Sequence, residues 1–484
     1  MPASPNWQRA EAAKAAPQLQ RLQDFFDGTD AVRARSKTYV PQLEKESDKN
    51  YALRSTGVAA PGALTRTVEA SVGRIFATAP TLDVAGYAPM DEEWDDIDGM
   101  GTHGDVWMAR ASVYALLDGY SCGMVDAPTA PAGVVPLTDA PMYRPRWIHY
   151  RRAQVLNWRT AIEHGQIVLT MVALAESADV EDGPWELKSE DRVRVLRRDA
   201  GVVTVEEWAE REASVGLGKR WTIINGPITY DGPTEIPLAI FAAGKMTAPF
   251  VARAPLLTLC DKVIEFYQVA CDMRHYERMS CFPQPVVVGE LTTLAGDGKL
   301  VLGPTSAVKV DVGGDFHWAE LAGTSMDQLR KNQNGRLQEI GSLGLSFLVT
   351  ETRSAETARA KALDSAAENA TLADAARGIE DGANQALAFH VAYWGIDEEN
   401  APTLSLNKNL GGDTIDPQMA TVLLAMREAG ELTREEYRQI LARGRIIPAE
   451  FALDDAVRAA EMEAAMMPME PDITPMVDAA KAAA

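Results

Sequence analysis

Cysteine and histidine are scarce in this chain of 484 residues, with four of one and six of the other. Cys122, Cys260, Cys271 and Cys281 include no C-x-x-C pair, and the last three recur at steps near whole helical turns. That spacing fits small buried residues on a helix face and argues against a metal site or a disulfide framework. Among His103, His149, His164, His275, His317 and His390 no two lie three or four apart, so the sequence has no helical pair of metal ligands. A G-x-S-x-G elbow is missing as well. No run approaches the ~18 apolar residues of a membrane helix. The opening MPASPNWQRAEAAKAA lacks the apolar centre of a secretory signal, so the expectation is a protein made and kept in a reducing cytoplasm. Positive charge is in deficit, with a formal net charge of −22. Such a surface repels nucleic acid and anionic membranes, which excludes tight DNA binding but not loose contact with DNA that must slide past.

The motifs that could carry chemistry are weak. Gly99-Met100-Gly101-Thr102-His103-Gly104 matches G-x-G-x-x-G, but an acidic stretch precedes it where a dinucleotide fingerprint needs an apolar strand. Gly296-Asp297-Gly298-Lys299 lacks the spacing of a phosphate loop and reads as a hairpin turn. The run Asp91 to Asp98 lacks calcium-loop spacing and reads as a solvated acidic turn. The expectation is therefore no catalytic residue, no metal and no cofactor. An enzyme with a site assembled from distant residues is the alternative, since such groups need not be local.

What is present is size and one dominant helix. The length suffices for two or three domains, and 46% apolar with 24% charged residues is ordinary for a globular chain. Residues 354–394 contain no proline. Ser354 can cap the start, Glu356 suits the positive end of the helix dipole, and Gly395 is a plausible stop. Ala355, Ala358, Ala362, Ala366, Ala370 and Ala373 begin a face that continues through Ala376, Ala383, Leu387, Val391 and Trp394. At ~1.5 Å per residue this helix runs roughly 60 Å. Its small side chains predict close approach of neighbouring backbones.

Elsewhere helices are expected over residues 1–27, with Pro17 near a start or break, and over 62–78 and 105–117. A strand is expected from Gly123. Residues 143–241 read as an antiparallel β-rich subdomain punctuated by Gly183-Pro184, Gly226-Pro227 and Gly232-Pro233. A helix over 253–281, short strands over 286–321, a helix over 324–340 and a glycine-containing loop at 341–353 precede the long helix. On the 324–340 helix, Arg330, Lys331 and Arg336 read either as a solvated face paired with Asp327 and Glu339 or as positive charge facing a channel. Shorter helices follow at 417–429, 433–441 and 448–466, with Thr433 and Glu436 forming a capping box, and the tail after Met466 reads as loosely ordered. The fold class is α+β.

Several pieces in order resemble one family. They are Val32-Arg33, Tyr39-Val40-Pro41, Tyr51, Arg54, Thr67-Val68 and Val72 to Phe76 ending at Pro80. Next come Asp96 to Gly101, Gly119 and Gly123 to Pro128, then Arg144 to Trp147, Tyr150 and Leu156 to Arg159. Ile236-Pro237-Leu238 and Glu356-Thr357-Ala358 complete the order. The chain resembles the portal proteins of tailed bacteriophages, in particular the portal-like group long catalogued as a domain of unknown function. Arg146 and Ala77 depart from the common aromatic and basic residues.

The resemblance implies a portal fold: a wing at 1–252, stem helices at 253–281 and 323–341 around a clip at 282–322, and a tunnel loop at 342–353. The long backbone helix would be 354–395 and the crown with its tail 396–484. It implies a ring at a capsid vertex, usually a dodecamer, through which double-stranded DNA passes non-specifically. Terminase, major capsid and scaffolding proteins and a head-tail adaptor would be partners, with no membrane. The protein would be assembled in the host bacterial cytoplasm and reside in the virion. By the same resemblance Leu345, Phe347, Leu348, Thr350 and Arg353 would line the channel from the tunnel loop, and Arg330, Lys331 and Arg336 from the stem. Val287, Gly289, Lys299 and Lys309 would lie on the clip where terminase docks. Deleting 343–352 would then leave rings intact and impair packaging or retention of DNA. Another ring-forming adaptor is the remaining alternative, although such proteins are usually much shorter.

Overall fold

The computed structural model describes residues 4–84, 86–128, 143–212, 219–281, 284–288, 313–319, 324–343, 358–408, 417–428, 437–438 and 441. The chain divides into two units, Met1–Leu410 and Gly411–Ala484. It is α+β, and the strand pairs among the described residues are antiparallel.

The first unit opens with helices α1 (Ala10–Asp27), α2 (Thr29–Ala34), α3 (Ser36–Tyr39), α4 (Asp48–Thr56) and α5 (Ala63–Ile75). Pro17 does not break α1, contrary to expectation, and lies inside it. A proline there costs ~3 kcal/mol of helix. The helix persists because Ala15, Leu19, Leu22 and Phe25 are buried along one face. After strand β1 (Thr81–Asp83), the acidic run forms α6 (Met90–Glu93) and a 3-10 turn. Helix α7 (Gly104–Asp118) leads through Gly119, at φ +95°, into strand β2 (Tyr120–Asp126).

Strands β3 (Arg146–Arg151), β4 (Val155–Glu163), β5 (Gln166–Glu181), β6 (Leu187–Asp199), β7 (Val202–Glu212), β8 (Lys219–Thr229) and β9 (Leu238–Ala242) follow, then the short pair β10 (Met246–Ala248) and β11 (Val251–Ala252). The strands of 143–241 are antiparallel, as expected, and with β2 they build two sheets: a three-stranded sheet ordered β3-β2-β9 and a five-stranded meander β4 to β8. Strand β2 is buried on both faces and alternates with period two. Gly123 and Val125 face a helical layer with Trp107, Trp147 and Phe241. Tyr120, Cys122 and Met124 face the meander, where Trp158, Val172, Leu174 and Leu196 complete a second core.

Helix α8 (Leu257–Cys281), strands β12 (Gln284–Val288) and β13 (Asp315–Ala319), helix α9 (Thr324–Leu343) and helix α10 (Ala358–Ala392) come next, and β14 (Thr403–Ser405) pairs back with β1. Helix α10 lies on β9 and β2. The second unit contributes α11 (Pro417–Glu428), which starts on a proline whose missing N–H costs nothing at that position. The helices expected at 433–441 and 448–466 fall largely or wholly outside the described residues.

Candidate functional site

The segment from α8 to α10 is built around a helical hairpin. The lower part of α8 buries Leu259, Cys260, Val263 and Tyr267 against Leu22, Phe25, Val32 and Tyr39 of the N-terminal helices. Phe25 meets Tyr39 and Tyr267 edge-on at 5.0 and 5.9 Å between ring centres. Polar anchors lock the same region. The Tyr267 hydroxyl donates to the Ser55 carbonyl at 3.1 Å, and Gln268 Nε2 donates to the Tyr39 carbonyl at 2.7 Å. Arg54, also buried, donates to Glu46 (2.9 and 2.8 Å), Asp272 (3.0 Å) and the Pro41 carbonyl (2.7 Å). Its hydrogen bonds hold the Glu46 carboxyl below the usual carboxylate range. Beyond Cys271 no described residue of α8 is buried.

Helix α9 returns antiparallel to α8. Lys262 Nζ lies 3.2 Å from Glu339 Oε2, Arg336 Nη1 donates to the Glu265 carbonyl at 3.4 Å, and Arg330 Nη2 lies 3.9 Å from Glu277 Oε1. This corrects the expected ion partners of the α9 cations. Asp327 and Glu339 sit on the same helix, but the acids and carbonyls of α8 face the cations across the hairpin. Lys331 is exposed. Among its described side chains α9 buries only Ile340, together with the backbone at Gly341, and Leu337 is 50% exposed. Between the two helices β12 and β13 pair antiparallel, with Val287 opposite Phe316. Gly289, Lys299 and Lys309, and all five tunnel-loop residues (Leu345, Phe347, Leu348, Thr350 and Arg353), lie outside the described residues.

Helix α10 meets the expectation of a close-packed face and exceeds it. Ala373, Ala376, Ala383, Leu387 and Val391 are buried, whereas Ala370 is exposed and Trp394 half-buried, which corrects the expected stripe at those two positions; the side chains of Ala355, Ala358, Ala362 and Ala366 lie outside those described. The closest approach is made by glycines. A methyl group on Gly378 would stand 2.1 Å from the Ala242 carbonyl oxygen, and one on Gly382 would stand 2.5 Å from that of Ile240. The helix ends in a Schellman motif: Gly395, at φ +68°, donates to the Ala392 carbonyl, and the Ile396 N–H reaches Val391. Ser354 and Glu356 lie outside the described residues.

Two polar constellations, one buried around His390 and one half-buried around Arg194, carry no sequence signal. Trp147 Nε1 donates to His390 Nδ1 at 3.3 Å, and His390 Nε2 meets Glu93 Oε2 at 2.7 Å. With Nδ1 accepting, the ring proton sits on Nε2, where it reaches the carboxylate. The acidic run is therefore only partly solvated: Met90, Trp94 and Ile97 enter the core, Glu93 binds His390, and Asp96 pairs with Arg144 at 2.5 Å. The second constellation joins the two sheets. Arg194 on β6 reaches Asp126 (3.0 Å), Glu176 (2.7 Å) and Glu207 (3.2 Å), while Tyr150 donates to Glu176 and Tyr230 to Asp126.

Burial shifts several titratable groups of the core. Cys122, Cys260 and Cys271 are free and buried, and burial pushes their thiols up, Cys260 to about 12. A nucleophilic thiol needs the opposite shift. Burial raises Asp118 to about 6 against the pull of the Arg151 guanidinium, which it contacts at 2.9 to 3.1 Å. Burial and the nearby Arg151 lower His149 to about 4. Gly99, Gly101 and Gly104 also have structural roles. The first two take positive φ, and Gly104 starts α7 under the Trp94 ring, where a Cβ would sit 2.1 Å from it. Among the described residues no group of three or more His, Cys, Asp or Glu side chains could hold a metal ion, and no helix is long and apolar enough to cross a membrane.

Residues 255–394 match the model of a protein family described as a domain of unknown function, DUF4055. The match begins just before α8 and ends just beyond α10, so it coincides with the helical hairpin, the β12–β13 pair and the long helix. No curated protein matches the chain. Among solved structures, it is similar to a chain in the virion of a native gene transfer agent particle, at 12% identity and TM-score 0.40, covering 85% of this chain and 98% of that one. It is also similar to chains in two neck structures of such particles. The empty particle, computed with C6 symmetry, gives 13% identity, 83% and 95% coverage and TM-score 0.42. The native particle, computed with C12 symmetry, gives 11%, 85% and 99%, and 0.39.

Proposed function

We propose that the chain is the portal subunit of a tailed-phage-like particle, a structural ring protein through which DNA is packaged and released. The observation that carries this reading is the segment from α8 to α10. A helix anchored in the body stands out beyond Cys271, a β pair joins it to a returning helix with almost no buried face of its own, and a 35-residue helix follows. A 20-residue helix with one buried core side chain among those described gains little from its own chain. Such a helix gains a partner when copies stand side by side around an axis. The sequence resemblance assigns the same segment to stem, clip and backbone helix, and the net charge of −22 suits a wall that DNA passes without sticking.

On this reading the chain performs no catalysis and needs no cofactor; ATP hydrolysis belongs to a separate terminase docking at the β12–β13 end. Arg330, Lys331 and Arg336 supply positive charge near the channel, and the ring sits at a capsid vertex beside a head-tail adaptor. The test is particle shape and mass of the purified protein, by negative-stain microscopy with light scattering, repeated after co-expression with capsid protein. Rings of about a dozen subunits around a central hole are expected, as the resemblance implies. A homogeneous monomer or dimer in both preparations would refute the reading.

A further inference from the structure

The five-stranded meander carries a second apolar face, away from the three-stranded sheet, where Leu156, Met171, Ala173, Val193 and Val195 are buried. An open groove crosses this face. Met171, Ala173 and Val195 form its floor, and Trp7, Trp208 and Trp221 line it. The rest of its lining is mostly basic, with Arg9, Arg159, Arg197, Lys219 and Arg220 beside Ser4, Pro5 and Asn157. Glu206 lies 3.8 Å from Arg197 and Glu210 lies 4.0 Å from Lys219, but Arg159 and Arg220 have no ion-pair partner among the described residues. In a chain of net charge −22 this is an unusual concentration of cations and indole rings.

The same sheet carries the complementary surface. Strands β5 and β6 run past their neighbours: Ser177–Glu181 and Leu187–Asp191 pair with each other and, among the described residues, with no third strand. The turn between them is closed by the Asp182 N–H on the Glu186 carbonyl at 2.9 Å. It presents Trp185 at 94% exposure and Leu187 at 68%, flanked by the exposed acids Glu181, Asp182 and Glu186. A two-stranded ribbon with a bare indole is marginal in water by itself. Because it continues strands of the same sheet, it points along the sheet plane and not onto its own groove.

We propose that the occupant of the groove is this ribbon tip from a second copy of the chain. Trp185 lies among Trp7, Trp208 and Trp221, while Glu181, Asp182 and Glu186 meet Arg159 and Arg220. Apolar floor, aromatic walls and opposite charge thus match on two distinct patches of one molecule. Such a contact is head-to-tail and propagates into a ring when its rotation closes. Closure rests on the ring reading above; the contact itself does not.

The experiment uses two full-length variants, a tip variant (Trp185→Ala with Glu186→Lys) and a groove variant (Arg159→Glu with Arg220→Glu), checked for native circular dichroism. Sedimentation of the wild type, each variant and their equimolar mixture is compared across concentration. The wild type should self-associate, and each variant alone should do so at least tenfold more weakly. The mixture should regain one tight contact per pair, because the tip variant keeps an intact groove and the groove variant an intact tip. Rings unchanged in both variants, or a mixture no tighter than its components, would overturn the tip-in-groove contact while leaving the ring reading standing. A wild type that stays monomeric throughout would overturn this contact as well.

Discussion

Gly378 and Gly382 show most sharply what one residue decides. Each lets α10 lie directly on the carbonyls of β9. Gly378→Ala should lower stability by more than about 2 kcal/mol, since backbone stands where the methyl would go. Gly335, on α9, has nothing within 4 Å of an added methyl, so Gly335→Ala should raise stability by about 0.5–1 kcal/mol. Thermal denaturation of the two variants measures the contrast. His149 makes a second prediction, with its sign fixed by the direction of its shift. Its folded pKa is lowered to about 4 from an ordinary value near 6.5, so it contributes stability above pH 6.5 that is lost as the pH falls towards 4. Asp118 is raised to about 6, so its contribution is present at low pH and lost as the pH rises through 6. The two slopes oppose each other in one window. His149→Phe should remove the acid-side loss, of order 2 kcal/mol, and leave the variant gaining on the wild type between pH 6 and 4. Urea unfolding at stepped pH reads this difference, and parallel curves for the two proteins would show that His149 does not titrate with folding.

At the scale of elements, the sequence was most legible where one helix carried its own punctuation. Gly395 stops α10 because an αL residue is needed there, and the alanine spacing located Ala373, Ala376, Ala383, Leu387 and Val391 of the buried face but not Leu372, Ile379 or Ala386. The helices expected over 253–281 and 324–340 lie within a few residues of α8 and α9. Partner choice was not legible. Strand β2 pairs with β9, more than a hundred residues later, and nothing local to either strand records that preference. Glycine in a helix reads locally as a cost, so the use of Gly378 and Gly382 shows only against the β9 carbonyls. The buried His390–Glu93 pair spans nearly three hundred positions and carries no motif. Pro17 misled for the converse reason, a local breaker outweighed by packing. The ribbon of β5 and β6 yields an element-level prediction. In the monomer, amides of 177–181 and 187–191 should exchange with deuterium at least about 100-fold faster than those of 167–174, which pair with β4. Hydrogen exchange with mass spectrometry resolves the two stretches, and equal protection in the monomer would mean that the ribbon needs no partner.

The whole first unit is tied together by contacts distant in sequence. Thr81–Asp83 pairs with Thr403–Ser405, and α10 roofs a sheet whose central strand began at Tyr120. That arrangement has a consequence for synthesis. A ribosome adding roughly 5–20 residues per second delivers β2 many seconds before α10, and β1 longer still before β14. Through that interval Trp107, Trp147 and Phe241 have no roof. Unit one therefore closes late, near the end of its own translation, and a chain that stalls before residue 372 presents an uncovered aromatic face to chaperones and proteases. Quality control thus acts on the single chain, because a truncated product is recognisable as unfinished for as long as that face stands open.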